Sequence, residues 1–134
     1  METRLGRAPL RDSYVGWVAA TIERTGGRAA IDPLRRQAGV SKRKLAADFR
    51  VHIGATPKLF ARLVRFERVR AMLGARTESL ACVAAAAGYY DQAHMALDFR
   101  EFAGVTATEF LIRSYPDGNS AVDTFFQDAE KDVP

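Results

Sequence analysis

Apolar residues return along the chain at intervals of three and four, the spacing that lines one face of an α-helix. Val15, Val18 and Ile22 fall on one such face, and the pattern predicts an amphipathic helix over 12–25, closed by Gly26-Gly27. Asp32 followed by Pro33 reads as an N-cap and first helical position. An aspartate oxygen accepts from the free N–H groups of the first turn, and proline lacks a donor that would go unused there. The short helix it opens runs to Ala38 and stops at Gly39, where a left-handed conformation costs glycine nothing. Ser41 is expected to cap the next helix, to about His52, with Leu45, Phe49 and Ile53 on one face. Thr56-Pro57 opens a long helix to about Leu73, before Gly74, in which Leu59, Phe60, Leu63, Phe66 and Met72 can face its neighbours. Arg62, Arg65 and Arg68 follow another strip of that helix. A further helix starts at about Ser79 and ends at Gly88; Asp91 caps the one after it, which buries Met95, Phe99 and Phe102 and ends at Gly104. Thr106 and Glu109 have the spacing of a capping box for a last short helix to about Arg113. No stretch alternates apolar and polar residues with period two, so the expected class is all-α, with about seven helices and no sheet.

The pattern also repeats. "DFRVHIGATPKLF" from Asp48 and "DFREFAGVTATEF" from Asp98 share Asp, Phe, Arg, Gly, Thr and Phe in register at an offset of 50. Upstream the offset falls to 49, matching Ala38-Gly39 with Ala87-Gly88 and Ile31 and Leu34 with Leu80 and Val83, so the second turn has gained one residue. A long fixed period means one structural unit used twice. Two helices joined by a short glycine-containing turn are the helix-turn-helix plan. The expected organisation is a short arm (1–11), a first helix-turn-helix subdomain (12–56), a linker helix (57–73), a second subdomain (74–113) and an acidic tail (114–134). The tail is expected to be loose, with Val122, Phe125 and Phe126 able to dock as a short anchor.

Composition agrees with close-packed helices: 23 of the 134 residues are alanine, the strongest intrinsic helix former. The longest apolar run, from Leu80 to Ala87, is eight residues, too short to span a bilayer. The lone Cys82 rules out an internal disulfide and fits a reducing cytosol, and no secretory signal precedes Arg4, Arg7 and Arg11. A soluble cytoplasmic protein with no membrane partner is expected. Charge changes the picture more. The net value is only +4, but residues 1–76 carry 17 Lys/Arg against 6 Asp/Glu, and residues 77–134 carry 3 against 10. A basic block of that density is the electrostatic footprint of nucleic-acid binding, the bland alternative being a well-solvated arginine-rich surface. Catalysis finds no support in a Cys/His cluster, a glycine-rich phosphate loop or an isolated acid–base pair, so no enzyme, cofactor or metal is expected. His52 and His94 have no second ligand at metal spacing and are assigned to packing or a phosphate contact.

The stretch "AGYYDQAHMALDFREFAGVTATEF" resembles the second-repeat signature of the AraC/XylS family of bacterial transcription regulators through Gly88, Tyr89, Asp91, His94, Phe99, Arg100, Gly104 and Phe110. The first repeat fits through Ala38, Gly39, Ser41, Leu45, Phe49, Gly54, Thr56, Pro57 and Phe60, and Arg65-Phe66 resembles the arginine–hydrophobe pair of the linker helix. The resemblance covers roughly residues 14–113. It implies two helix-turn-helix subdomains held by one linker helix, with both recognition helices in successive major grooves on one face of double-stranded DNA. The chain departs from the family at Leu97 and Ala47, where arginine is common, and at Ala107, where proline is frequent. Most members add an effector-binding or dimerisation domain. Only about a dozen residues precede the first helix here, so the expectation is a DNA-binding domain alone, with no small-molecule effector evident. Some members are fused to a DNA-repair methyl-acceptor module, whose metal-binding cysteines are absent here.

Helical geometry places Lys42, Arg43, Ala46, Ala47 and Arg50 opposite the core face of the first recognition helix, and Gln92, Ala93, Ala96, Leu97 and Arg100 opposite that of the second. Arg43 suits a bidentate contact to guanine O6 and N7, with Lys42 at a base or phosphate; a plain solvated charge is the alternative. Gln92 suits adenine N6 and N7, with simple surface polarity as the equal alternative. The alanines permit close approach and contact with thymine methyls, and Leu97 suits either that or a protein contact. Arg50 and Arg100 are assigned to phosphate or to pairing with Asp48 and Asp98. Arg62 is assigned to backbone phosphate, Arg65 to phosphate or to pairing within the bundle, and Tyr90 to the sugar–phosphate edge. Tyr89 and Cys82 are expected in the core. The basic first subdomain and linker helix are expected to dominate affinity. The competing expectation is a protein-interaction module acting through Leu97, Tyr90 and the acidic half, with RNA polymerase a candidate partner.

Overall fold

The computed structural model of the protein describes residues 13–75 and 79–114, so the expected arm, the acidic tail and its anchor residues lie outside the described residues. Seven helices follow one another among them: α1 (Tyr14–Arg24), α2 (Ile31–Ala38), α3 (Lys42–His52), α4 (Pro57–Ala75), α5 (Leu80–Ala87), α6 (Gln92–Ala103) and α7 (Ala107–Ser114). No strand occurs among the described residues.

Most helix starts lie where expected, each with a capping side chain. Ser41 Oγ accepts from Lys44 N at 3.0 Å, Ser79 Oγ from Cys82 N at 3.1 Å and Asp91 Oδ1 from His94 N at 2.7 Å. Thr106 and Glu109 form the full reciprocal box, with Glu109 N donating to Thr106 Oγ1 at 3.0 Å and Thr106 N to Glu109 Oε1 at 3.1 Å. Those bonds, the backbone N–H foremost, hold the Glu109 carboxyl below its ordinary range. α1 is capped by Ser13, whose Oγ accepts from Gly16 N at 3.0 Å. Ser41→Ala would leave an N–H of α3 unsatisfied and is expected to cost about 0.5–2 kcal/mol, readable in a urea titration.

Two boundaries differ from expectation. Asp32 does not cap α2: the helix begins at Ile31 after Ala30, which makes no side-chain cap bond. The Asp32 carboxylate instead accepts from Arg35 Nε at 2.9 Å and from Arg36, which lowers its pKa. Pro33 is tolerated at the third helical position because the first four N–H groups of a helix have no intrahelical partner. The long helix α4 runs through Gly74 to Ala75. A glycine inside a helix costs only about 1 kcal/mol relative to alanine, so it need not end one.

The chain divides into two units between Val64 and Arg65, inside α4. In the first, Val15, Val18, Ala19 and Ile22 of α1 meet Leu34 of α2, Leu45 and Phe49 of α3 and Ala61 of α4, with Ile53, Phe60 and Val64 packed on the margin. In the second, Val69 and Leu73 of α4 meet Leu80, Val83, Ala84 and Ala87 of α5, Met95 and Phe99 of α6, and Ala107 and Leu111 of α7. Phe66, Met72, Ala103, Val105 and Phe110 pack against that cluster. Leu63, expected to face a neighbour, is instead exposed, and Ala61 takes the buried place.

The repeat is physical as well as textual. Phe49 and Phe60 meet edge-on at 5.7 Å between ring centroids, and their counterparts Phe99 and Phe110 do so at 5.5 Å. Both turns close with the same bond pair: Gly39 N to Arg36 O and Val40 N to Arg35 O in one, Gly88 N to Ala85 O and Tyr89 N to Ala84 O in the other. Gly39 has φ +73° and Gly88 φ +92°, where a side chain is strained. A Cβ on Gly39 would touch nothing within 4 Å, so there it is the backbone and not space that asks for glycine.

Candidate nucleic-acid interface

The caps and the core fix which faces of α3 and α6 look outward. In α3, Leu45 and Phe49 are buried, and Lys42, Arg43, Ala47 and Arg50 are exposed on the other side, with Ala46 half-buried at the edge. Val51, 66 % exposed, extends this stripe one turn beyond Ala47. The sequence reading missed it, although its four-residue spacing from Ala47 signals the same face. In α6, Met95, Asp98 and Phe99 are buried, and Ala93, Ala96, Leu97 and Arg100 are exposed. Thus four of the five positions expected to face outward on each helix are exposed.

An acidic group at the same register braces each helix from within. Asp48 of α3 accepts from the Tyr14 hydroxyl of α1 and pairs with Lys44 Nζ at 3.1 Å. The Tyr14 bond is the larger cause that lowers the Asp48 pKa, and burial, then the carboxylate, raise that of Tyr14. In the second unit Asp98 of α6 meets the Tyr89 hydroxyl, and the Arg65 guanidinium lies 5.6 Å from the Tyr89 ring centroid. Burial and the charge on Asp98 push the Tyr89 hydroxyl well above its ordinary pKa. The expected pairing of Arg50 with Asp48 and of Arg100 with Asp98 is therefore corrected. Residues two apart on a helix point away from each other, and Asp48 and Asp98 turn inward while Arg50 and Arg100 stay outside. Among the described residues neither Arg43 nor Arg50 is ion-paired, whereas Lys44 and Arg36 are tied to acids.

Other candidates fall differently. Arg65 is a brace of the second unit, the within-bundle alternative of the sequence reading. Arg62 is half-buried and already engaged by the protein, which leaves it less free to reach phosphate. Tyr90 is the residue added in the second turn and stands 91 % exposed, while Tyr89 beside it is buried. Gln92 is only half-exposed, and its carboxamide oxygen is shut off from solvent without a hydrogen-bond partner. His94 braces the turn: its Nδ1 accepts from Tyr90 N at 3.4 Å and its ring stands edge-on to Tyr89 at 5.2 Å. Cys82, expected in the core, is exposed. α5 buries Leu80, Val83, Ala84 and Ala87, which leaves 81, 82, 85 and 86 outside. Among the described residues no group of three His, Cys, Asp or Glu side chains is placed to hold a metal ion, and no helix is long and apolar enough to cross a membrane.

Comparison with known proteins places this geometry. A probable AraC family transcriptional regulator from Rhodopseudomonas palustris CGA009 is 29% identical and superposes with a TM-score of 0.65, over 75% of this chain and 96% of that one. The DNA-binding domain of AdpA, a global transcriptional factor crystallised in complex with a target DNA, shares the fold with a TM-score of 0.70 at 19% identity, over 80% of this chain and 100% of that one. No curated protein matches the chain. A family model described as a helix-turn-helix domain matches residues 34–113, which takes in both turns, both outward-facing helices and the helix between them. The chain belongs to the helix-turn-helix family of AraC-type transcriptional regulators.

Proposed function

We propose that the chain binds double-stranded DNA with sequence specificity to regulate transcription, with α3 and α6 each entering a major groove and α3 dominating. The observation that carries this reading is α3 itself. It is a capped helix anchored by Leu45 and Phe49, presenting Lys42, Arg43, Ala47 and Arg50 on its open side. An unpaired arginine in the first turn of such a helix can reach guanine O6 and N7 with both arms of its guanidinium. The AdpA domain, which has the same fold, holds DNA in its own structure. The charge distribution points the same way, since the half of the sequence that contains α3 carries the basic excess.

Within this reading Arg43 reads a base pair, Lys42 and Arg50 neutralise phosphates, and Ala47 lets the helix approach closely. Tyr90 and Arg100 touch the sugar–phosphate edge beside α6. The protein acts in the cytoplasm, where bacterial DNA lies. Arg43→Ala tests the assignment. It is expected to weaken binding by about 1–3 kcal/mol at one base pair and to leave preference at the others intact. The check is competition binding against duplexes that carry each single base-pair change, and an unaltered preference profile would remove Arg43 from the reading face.

A further inference from the structure

The two outward helices occupy equivalent places in the repeat but carry different chemistry. At the register where α3 presents Lys42, Arg43, Ala46, Ala47 and Arg50, α6 presents Gln92, Ala93, Ala96, Leu97 and Arg100. Leu97 is 71 % exposed, so most of its side chain is left uncovered by its own unit. Ala93 and Ala96, four and one residues before it, are exposed as well. Gln92 would be the stripe's adenine reader, but a two-point contact needs its carboxamide oxygen to accept from adenine N6. In the structure that oxygen is shielded from solvent and unpartnered, so Gln92 would have to turn its carboxamide outward to make the contact. What the first two turns of the open face of α6 offer to base edges is therefore mainly hydrocarbon, with Glu101, exposed one turn beyond Leu97, closing the stripe. The major groove has one apolar feature to match it, the C5-methyl group of thymine. Arg100, exposed and three residues beyond Leu97, stands where a cation can reach a flanking phosphate, beside the exposed Glu101.

We infer that α6 reads thymine methyl groups, with Leu97 as the specificity-determining side chain and Ala93 and Ala96 admitting the helix to the groove floor. This rests on the DNA-binding reading above. It divides the recognition sequence by chemistry: guanine under Arg43 of α3, and thymine under Leu97 of α6.

Uracil substitution separates the two claims. Deoxyuridine keeps every hydrogen-bonding group of thymidine and lacks only the methyl. The full chain is first used to select a preferred duplex, and each thymine in it is then replaced singly by deoxyuridine. For the unaltered protein, one or two adjacent thymines are expected to show an affinity loss of about fourfold per methyl removed. Leu97→Ala, an exposed substitution whose folding is checked by thermal melting, is expected to bind the thymine and uracil forms equally at those positions. Arg43→Ala should keep the uracil penalty. Equal binding of thymine and uracil duplexes by the unaltered chain overturns the inference and leaves DNA binding intact. So does a uracil penalty that survives Leu97→Ala. The absence of any preferred duplex overturns both together.

Discussion

Phe99→Ala is expected to lower the unfolding free energy by about 3–5 kcal/mol, the cost of removing a fully buried ring. Phe99 is 1 % exposed and sits between two other rings, edge-on to Phe66 at 5.2 Å and to Phe110 at 5.5 Å. The truncation removes both ring contacts and leaves a cavity that the helix cannot close, because Met95 one turn earlier is itself packed into the core. Domains have only about 5–15 kcal/mol of stability in total, so the loss is a large share of what holds the second unit together. Leu97→Ala, two residues away on the same helix, is the control: at 71 % exposure it should change stability by no more than about 0.5 kcal/mol. Urea titrations of the two variants measure the contrast, and comparable losses would mean that α6 does not present the face described.

Raising monovalent salt from about 50 to 200 mM is expected to weaken binding of the preferred duplex about 250- to 1,000-fold, a slope of log K against log salt near −4 to −5. The slope corresponds to about five phosphates neutralised, each releasing condensed counterions from the duplex. Exposed cations available for this are Lys42 and Arg50 of α3, Arg68 of α4 and Arg100 of α6. Those tied to acids, such as Lys44 at 3.1 Å from Asp48 and Arg70 at 2.8 Å from Glu67, add less because binding must first break an ion pair. The acidic balance of residues 77–134 keeps the count low for so arginine-rich a protein. A fluorescence-anisotropy series across salt gives the slope. A value near zero would contradict a phosphate-dominated grip.

Much of the fold was legible because its signals are local. Ser41, Ser79, Asp91 and the Thr106/Glu109 box are side chains that bond to the backbone three residues away, so their spacing alone shows them. The turn glycines, and the Phe49 and Phe99 anchors at matching register, were legible through the repeat. What the sequence hid depends on distance or on uniformity. The partner of Asp48 is Tyr14, 34 residues earlier, and no local pattern marks it. α5 is an unbroken apolar run, so no polar residue shows which side is outside, and Cys82 was placed on the wrong one. Asp32 had the look of a cap, but Arg35 and Arg36 lie one turn on and hold its carboxylate inside the helix. On the reading faces, charge and small side chains were visible in the sequence. The shielding of the Gln92 carboxamide oxygen was not.

Recognition of a particular DNA sequence by the two outward helices has a direct experimental test. That test is selection from a genomic fragment library with the purified chain, read at low and at physiological salt. One enriched motif is expected, with a guanine at the position that Arg43→Ala relaxes. No enriched motif at either salt would contradict it.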